Sequence, residues 1–385
     1  MSENILRNSD KIIVSLSADE KEFIKSKSEE KKLFVGIRNC ELKIYSYGAL
    51  VLSVSAPNNE LIYKTSYLPN NIDEKNEIGE PQEIKFEVLK NNHIFDEIIS
   101  IAKHVYMGQN KDKKFYSEKI CQQWIVNTTN NDEKNDWYYV DMEYENQGIN
   151  IGRFDMVAIS KYPVLGKHKV RLIELKVGAG SYQDKWDKND PKFIFIKKSP
   201  NDFFLENNIE LSFGSGIVGH IADFLRFLHN KNYYIKLKEN IVSILTCNRK
   251  LGIEVPRIID ENDLEDKPEV LIVTYTHCPY CAYDDIYNDL TDNQKNLVNQ
   301  KNIKCEIKSL KKRLRNRLFN INKSSVYNLE SALNKEIISG FLNLKKYNNF
   351  SNSQEIYQKI GNEKYKFTFS FIDPDEEKDS WCCIK

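Results

Sequence analysis

Two charged residues interrupt an apolar segment near the middle of the chain. The segment RLIELKVGAG, residues 171 to 180, is typical of a β-strand followed by a glycine loop, yet Glu174 and Lys176 lie inside it. Side chains alternate between the two faces of a strand, so these two charges share one face while their apolar neighbours pack on the other. Charges held on such a strand cost desolvation free energy unless a partner or a function uses them. The pair is therefore a candidate for chemistry.

The preceding strand supplies a second carboxylate. The segment GRFDMVAIS, residues 152 to 160, is also strand-like and contains Asp155. If the two segments form an antiparallel hairpin, Ser160 lies opposite Lys169. The same register then places Asp155 opposite Glu174. We therefore expect the two carboxylates to lie side by side, with the lysine one step beyond.

The tripeptide Glu-x-Lys by itself carries little information. It occurs eight times in the chain, including a second Glu-Leu-Lys from Glu41 to Lys43. None of the other tripeptides follows a hairpin partner strand that contains an Asp. The hairpin, rather than the tripeptide, distinguishes Glu174 and Lys176 from the solvated pairs.

Two neighbouring carboxylates with a nearby lysine indicate metal-dependent chemistry on a phosphate. The carboxylates repel each other, and a divalent cation relieves that repulsion. Carboxylate oxygens and a backbone carbonyl suit Mg²⁺ or Mn²⁺, which keep several water ligands for a reaction. A lysine beside the metal can orient or deprotonate the attacking water and offset charge on a phosphate. The pattern predicts a site that cleaves phosphodiester bonds.

These residues resemble the signature of the PD-(D/E)xK nuclease superfamily, which has the restriction-endonuclease-like fold. The resemblance covers about residues 95 to 275 and implies an α/β core with a mixed central sheet flanked by helices. It implies that Asp155, Glu174 and the backbone carbonyl of Leu175 hold the metal. Lys176 would be the catalytic lysine.

Two further positions bear on this resemblance. Members of the superfamily often add an acid from the helix before the first core strand, and Glu118 in YSEKICQQWIV is the candidate here. The residue before the Asp is Phe154 rather than proline, at a position that varies in the superfamily. The four predicted site side chains are thus Asp155, Glu174, Lys176 and Glu118.

The apolar and polar patterns divide the chain into three predicted parts. Alternating apolar segments between residues 31 and 68 predict a β-rich meander, which we assign to an N-terminal accessory domain of residues 1–90. Helical spacing of apolar residues begins at Phe95, and residues 91–290 form the predicted nuclease-like domain. Residues 291–385 are predicted to be a basic helical region.

Within the nuclease-like domain the patterns predict a helix, three consecutive strands, a second helix and further strands. This order is typical of an α/β core. The predicted strands are residues 137–145, 152–160, 169–177, 240–247 and 269–276, with the second helix at 215–230. Outside this domain, the basic C-terminal region closes with a predicted strand at 366–372.

One helix of the basic region is a candidate surface for the nucleic-acid backbone. Residues 301 to 323 contain nine Lys or Arg and one Glu around an apolar stripe at helical spacing. Lys311, Arg313, Arg315 and Arg317 are the candidate phosphate contacts. The alternative is an ordinary solvated helix face, and the two interpretations have equal support.

Composition limits the kinds of partner. Lys and Arg number 56 and so do Asp and Glu, so the formal net charge is zero and the chain has no global positive field toward nucleic acid. No apolar run approaches the roughly 18 residues of a membrane span. The N-terminal residues do not have the pattern of a signal peptide. We expect a cytoplasmic protein without a membrane partner.

A Cys-x-x-Cys motif gives a competing interpretation. Cys278 and Cys281 follow an apolar segment, as the dithiol of a redox protein would. They could instead be half of a zinc site completed by Cys382 and Cys383 or by Cys305, or ordinary buried thiols. The eight cysteines are scattered, which favours reduced thiols.

The combined expectation is a Mg²⁺-dependent endonuclease that acts on DNA in prokaryotic restriction or anti-phage defence. By analogy with restriction-like nucleases, a homodimer or higher homo-oligomer and a partner protein of a defence system are expected partners. Two other classes stay open: a nucleic-acid-binding module on a silent nuclease fold, and a thiol or zinc protein. His220 and Asp223, one turn apart on the helix after the Glu-x-Lys strand, are either structural or supporting residues of the site.

Overall fold

The chain is a mixed α/β protein, and its described residues form two β-sheets. The computed structural model describes residues 9–31, 33–38, 41–69, 79–108, 118–145, 152–177, 220, 223–224, 226–228, 230–275, 353–360 and 363–372. Among these residues no helix has both the length and the apolar character needed to cross a membrane.

The first sheet is an antiparallel meander, which confirms the prediction for residues 31 to 68. Its strands follow one another in chain order: β1 (Phe34–Arg38), β2 (Glu41–Ser46), β3 (Ala49–Ser55), β4 (Ile62–Thr65) and β5 (Gln82–Ile84). Four helices accompany it: α1 (Ser9–Ser15), α2 (Ala18–Lys31), α3 (Phe86–Leu89) and α4 (Asn92–Gly108). Apolar residues of α4, including Phe95 and Ile98, belong to the core of this first sheet.

The second sheet is mixed and has six described strands. They are β6 (Trp137–Glu145), β7 (Arg153–Ser160), β8 (Val170–Val177), β9 (Glu269–Tyr275), β10 (Ser353–Ile360) and β11 (Glu363–Ile372), in the spatial order β10-β11-β9-β8-β7-β6. β6, β7 and β8 pair antiparallel, whereas β8, β9 and β11 pair parallel. The three consecutive strands, β9 and the closing strand were predicted, and the structure confirms them.

Helices cover both faces of the second sheet. Helix α5 (Glu118–Asn130) packs Ile120 and Ile125 into a core with the residues of β8 that point away from Glu174. On the other side, the described residues between 220 and 228 are helical and precede α6 (Lys231–Lys250). The rings of Phe224 and Phe227 lie 4.9 and 4.8 Å from that of Phe154 on β7.

The prediction of a strand at residues 240–247 is wrong, because these residues lie within α6. The Asn230 side chain accepts from the Asn232 N–H and caps the helix. Buried positions then recur at helical spacing, as at Tyr234, Leu237 and Ile241. A short run rich in β-branched residues is compatible with the period of a strand and with that of a helix. Only the residues before 240 show the helical period clearly.

Several predicted features lie outside the described residues. They are the basic helix with Lys311, Arg313, Arg315 and Arg317, the motif with Cys278 and Cys281, and the glycine loop at 178–180. These predictions therefore stay predictions.

The entry into β7 depends on a glycine. Gly152 has a φ of +81° and a Cβ there would overlap the Phe227 ring, whereas a Cβ at Gly166, where φ is +83°, would have no atom within 4 Å. We expect Gly152→Ala to lower the free energy of unfolding by about 1–3 kcal/mol more than Gly166→Ala, because only the first adds a steric clash to the backbone strain. Urea unfolding of both variants measures the difference. Equal losses would show that Phe227 does not constrain this position.

Candidate active site

The hairpin of β7 and β8 has the register predicted from the sequence. Their paired residues run from Ile159 and Val170 to Met156 and Ile173. The Ser160 N–H donates to the Lys169 carbonyl at 3.0 Å, as expected. One step beyond the last pair, Asp155 and Glu174 therefore stand opposite each other. The hairpin brings together two carboxylates that lie far apart in the sequence.

Asp155 bridges the two strands where their ladder ends. Its Oδ2 atom accepts a hydrogen bond from the Leu175 N–H at 2.6 Å, so the side chain takes the place of a strand carbonyl. The N–H and carbonyl of one strand residue point to the same side. The Leu175 carbonyl therefore also faces the gap beyond the ladder, where the predicted metal would lie.

Glu174 and Lys176 form a buried ion pair. The Lys176 Nζ atom lies 2.6 Å from Glu174 Oε1, and the two side chains are 6% and 1% exposed. His220 Nδ1 approaches the same oxygen at 3.1 Å. The contact with Lys176 is an ion pair, whereas the contact with His220 is one only when the imidazole carries a second proton. His220 thus lies at the site, which sequence reasoning had left open.

Glu118 reaches the same place from α5. It is the first described residue of that helix, and its Oε1 atom lies 3.8 Å from Lys176 Nζ. The same oxygen accepts from the Val177 N–H at 3.4 Å. With a side chain 37% exposed, Glu118 is far more accessible to solvent than Glu174. The structure therefore brings all four predicted side chains together.

The site concentrates negative charge in a buried place. Burial raises the pKa of Asp155 to about 7, and Glu118 adds to this rise while Lys176 opposes it. Burial also raises the pKa of Glu174 well above its usual value, with Asp155 as the next cause. Burial opposes the charge on Lys176, but the carboxylates outweigh it and raise the pKa of this lysine. Three carboxylates thus surround one ammonium group.

The donor set suits a hard divalent cation that keeps water ligands. Asp155 raises the cost of ionising Glu174, which a bound cation would lower. Among the described residues, no group of three or more His, Cys, Asp or Glu side chains is arranged to hold a metal ion. Two carboxylates with the Leu175 carbonyl fit Mg²⁺ or Mn²⁺, because Mg²⁺ commonly binds through one or two carboxylates and water.

Two residues that support the site were missed or left undecided by sequence reasoning. The Gln122 side chain donates from Nε2 to the Asp155 carbonyl. Its position one turn after Glu118 on the same helix was the available signal. Asp223 accepts from the Gly152 N–H at 3.0 Å and the Arg153 N–H at 3.4 Å, so it holds the start of β7.

The second Glu-Leu-Lys shows what the tripeptide does without the hairpin Asp. Lys43 lies 3.3 Å from Glu41 on β2, with side chains 22% and 38% exposed. This is an ordinary surface ion pair, worth little to stability. It provides a matched control for substitutions at Glu174 and Lys176.

Comparison of the chain with protein-family models, curated proteins and solved structures finds no match. The function is therefore argued from the geometry of Asp155, Glu174, Lys176 and Glu118.

The raised pKa of Asp155 predicts a pH-dependent stability in the metal-free protein. Between about pH 4 and pH 7 the folded state keeps a proton that the unfolded state releases, so stability falls as pH rises through this window. Asp155→Asn cannot ionise at this position. Its free energy of unfolding should therefore fall by about 1–4 kcal/mol less than that of wild type as the pH rises through this window. Urea unfolding in EDTA at about pH 5 and about pH 8 measures it.

Asp266→Asn is the control for this measurement. Lys167 holds the pKa of Asp266 below its usual value, so this carboxylate titrates below the tested window. The pH dependence of Asp266→Asn should match that of wild type. If Asp155→Asn also matched wild type, the assigned protonation of Asp155 would be wrong.

Proposed function

We propose that the chain is a metal-dependent nuclease that hydrolyses phosphodiester bonds in DNA. The observation that carries the proposal is the meeting of Asp155 and Glu174 at the end of one hairpin ladder, with Lys176 Nζ 2.6 Å from Glu174 Oε1. This arrangement supports the resemblance to the PD-(D/E)xK superfamily. We further propose a restriction-endonuclease-like core, because helices flank a mixed central sheet.

The acidic residues would bind and orient the metal. Asp155, Glu174 and the Leu175 carbonyl would hold Mg²⁺ or Mn²⁺, which when bound supplies a Lewis acid for a phosphate oxygen and lowers the pKa of a bound water. The Leu175 N–H fixes the direction of the Asp155 carboxylate. His220 Nδ1 contacts the Glu174 carboxylate at 3.1 Å and limits its freedom. The two ligands are thus oriented before substrate arrives, which lowers the cost of assembling the site.

Lys176 acts as a positive charge toward the substrate. The surrounding carboxylates raise its pKa, so its amine carries a proton in the arrangement described. An ammonium group here would stabilise the negative charge that develops on the phosphate. Glu118 is partly exposed and lies at the edge of the site, where its carboxylate could hold the attacking water.

Biological role and assembly are further parts of the proposal. We propose a role in prokaryotic restriction or anti-phage defence, in which the N-terminal sheet recruits or senses a partner. Dimerisation would place two such sites on the two strands of a duplex.

A nucleic-acid-binding module without catalysis is the second candidate. The observation that favours it is the buried ion pair of Lys176 with Glu174, which occupies a carboxylate oxygen that a metal would need. Such a module would bind DNA but would cut none of its forms with any metal. Cleavage assays on supercoiled plasmid, linear duplex and single strands, with Mg²⁺, Mn²⁺ or EDTA, separate the two candidates.

Substitution of the three central residues tests the site. We expect Asp155→Ala, Glu174→Ala and Lys176→Ala each to lower cleavage by at least about 100-fold, because each removes a ligand charge or the charge facing the phosphate. Lys43→Ala, in the partly exposed ion pair of β2, should cleave as wild type does. Initial rates on plasmid with Mg²⁺ provide the measurement. Three folded variants with wild-type rates would rule out the assigned site.

Glu118 should contribute less than Glu174. Glu118→Gln is expected to lower the rate at saturating Mg²⁺ by about ten- to a thousandfold, because a partly exposed acid acts through a water molecule. Glu118→Asp should recover little, since the shorter side chain loses its reach. A wild-type rate in Glu118→Gln would mean that Asp155, Glu174 and Lys176 suffice.

A further inference from the structure

The main chain at Asp155 lacks the ladder contacts that a strand residue usually has. Toward β8, the register ends at Met156. Toward β6, Met156 pairs with Met142 and Phe154 pairs with Tyr144. Between them, the register of the described strands does not pair Asp155 with Glu143. The described register therefore gives Asp155 no partner on β6, although Phe154 and Met156 on either side of it are paired there.

A backbone irregularity explains the missing pair. The Ser160 N–H donates to β8, so alternate residues of β7 face β8 and those between them, including Asp155, face β6. Glu143 lies opposite Asp155 but has a φ of +53°, far from the values of a β-strand. The Asp155 carbonyl therefore points toward Glu143, whose backbone does not have the conformation of a strand.

Gln122 supplies the missing contact. Its Nε2 atom donates to the Asp155 carbonyl, and the residue is only 3% exposed. It is located one turn after Glu118 on α5, so one helix provides both an acid of the site and the hydrogen bond to Asp155. A buried amide would be costly to leave unpaired, which holds this contact in place.

We propose that Gln122 is a positioning residue of the active site. It replaces the strand partner of Asp155 and fixes the main chain so that the carboxylate meets the Leu175 N–H at 2.6 Å and faces the metal position. The metal-related part rests on the proposed function of Asp155. The hydrogen-bond part can be measured without metal or substrate.

The adjacent residue provides a matched control. Gln123 is also 3% exposed and also bonds main chain through its amide. Its Oε1 atom accepts from the Gly48 N–H and its Nε2 atom donates to the Tyr45 carbonyl at 2.9 Å. Both contacts lead to the first sheet rather than to Asp155. Gln123→Leu therefore removes an equally buried amide without touching the proposed contact.

Hydrogen–deuterium exchange of the full chain in EDTA tests the proposal directly. In Gln122→Leu, the Leu175 amide should exchange about tenfold faster than in wild type, because its acceptor on Asp155 is no longer fixed. The Ile173 amide, in the ladder pair with Met156, should be unchanged. In Gln123→Leu, both amides should exchange as in wild type. An unchanged Leu175 rate in Gln122→Leu, or an equal rise in Gln123→Leu, overturns the proposal.

Gln122→Glu is the second variant, since it keeps the size and polarity of the side chain but lacks the amide hydrogens. It should give the same faster exchange at Leu175, and wild-type exchange there would also overturn the proposal. In both Gln122 variants Mn²⁺ should bind about tenfold more weakly than in wild type, with Gln123→Leu within about twofold. If wild type bound no Mn²⁺ and cut no nucleic acid, the nuclease function would fail while the exchange rates still decided the role of Gln122.

Discussion

The pairing of β7 with β8 is the constraint on which the site depends. Because the ladder ends at Met156 and Ile173, the next residues on the two strands are held opposite each other without a backbone hydrogen bond between them. Those residues are Asp155 and Glu174. A one-residue slip of this register would turn one carboxylate to the α5 face and separate it from the other. Neither the lysine nor Glu118 could restore such a site.

Holding these charges in a buried place is unfavourable, and the surrounding structure offsets the cost. Lys176 neutralises part of the charge of Glu174. The Leu175 and Val177 N–H groups donate hydrogen bonds to the carboxylates of Asp155 and Glu118, respectively. The rings of Phe224 and Phe227 pack against that of Phe154, directly before Asp155 in β7. Three carboxylates and one ammonium group leave the site with excess negative charge, which favours binding of a cation. The proposed chemistry uses such a cation.

The hairpin of β7 and β8 could be predicted from the sequence, because period-two alternation and a short connection define a register without any tertiary information. It reached Glu118 through the resemblance and the helical spacing of its neighbours. Gln122 was missed, because its position one turn after Glu118 does not indicate that its side chain bonds a backbone carbonyl. The positive φ of Glu143 is likewise not indicated by its residue type, because glutamate rarely adopts it. The apolar pattern of residues 240–247 fits both a strand and a helix, and in the folded chain these residues belong to α6.

The most direct test of the account is the position of Mn²⁺ in crystals of the full chain, located by its anomalous scattering. If Asp155 and Glu174 hold the metal, the ion lies about 2.1 Å from a carboxylate oxygen of each and from the Leu175 carbonyl, with its other ligands supplied by water. Lys176 would then lie beside the ion without binding it. An ion held elsewhere at saturating Mn²⁺, with the ion pair of Lys176 and Glu174 intact, would contradict the central claim.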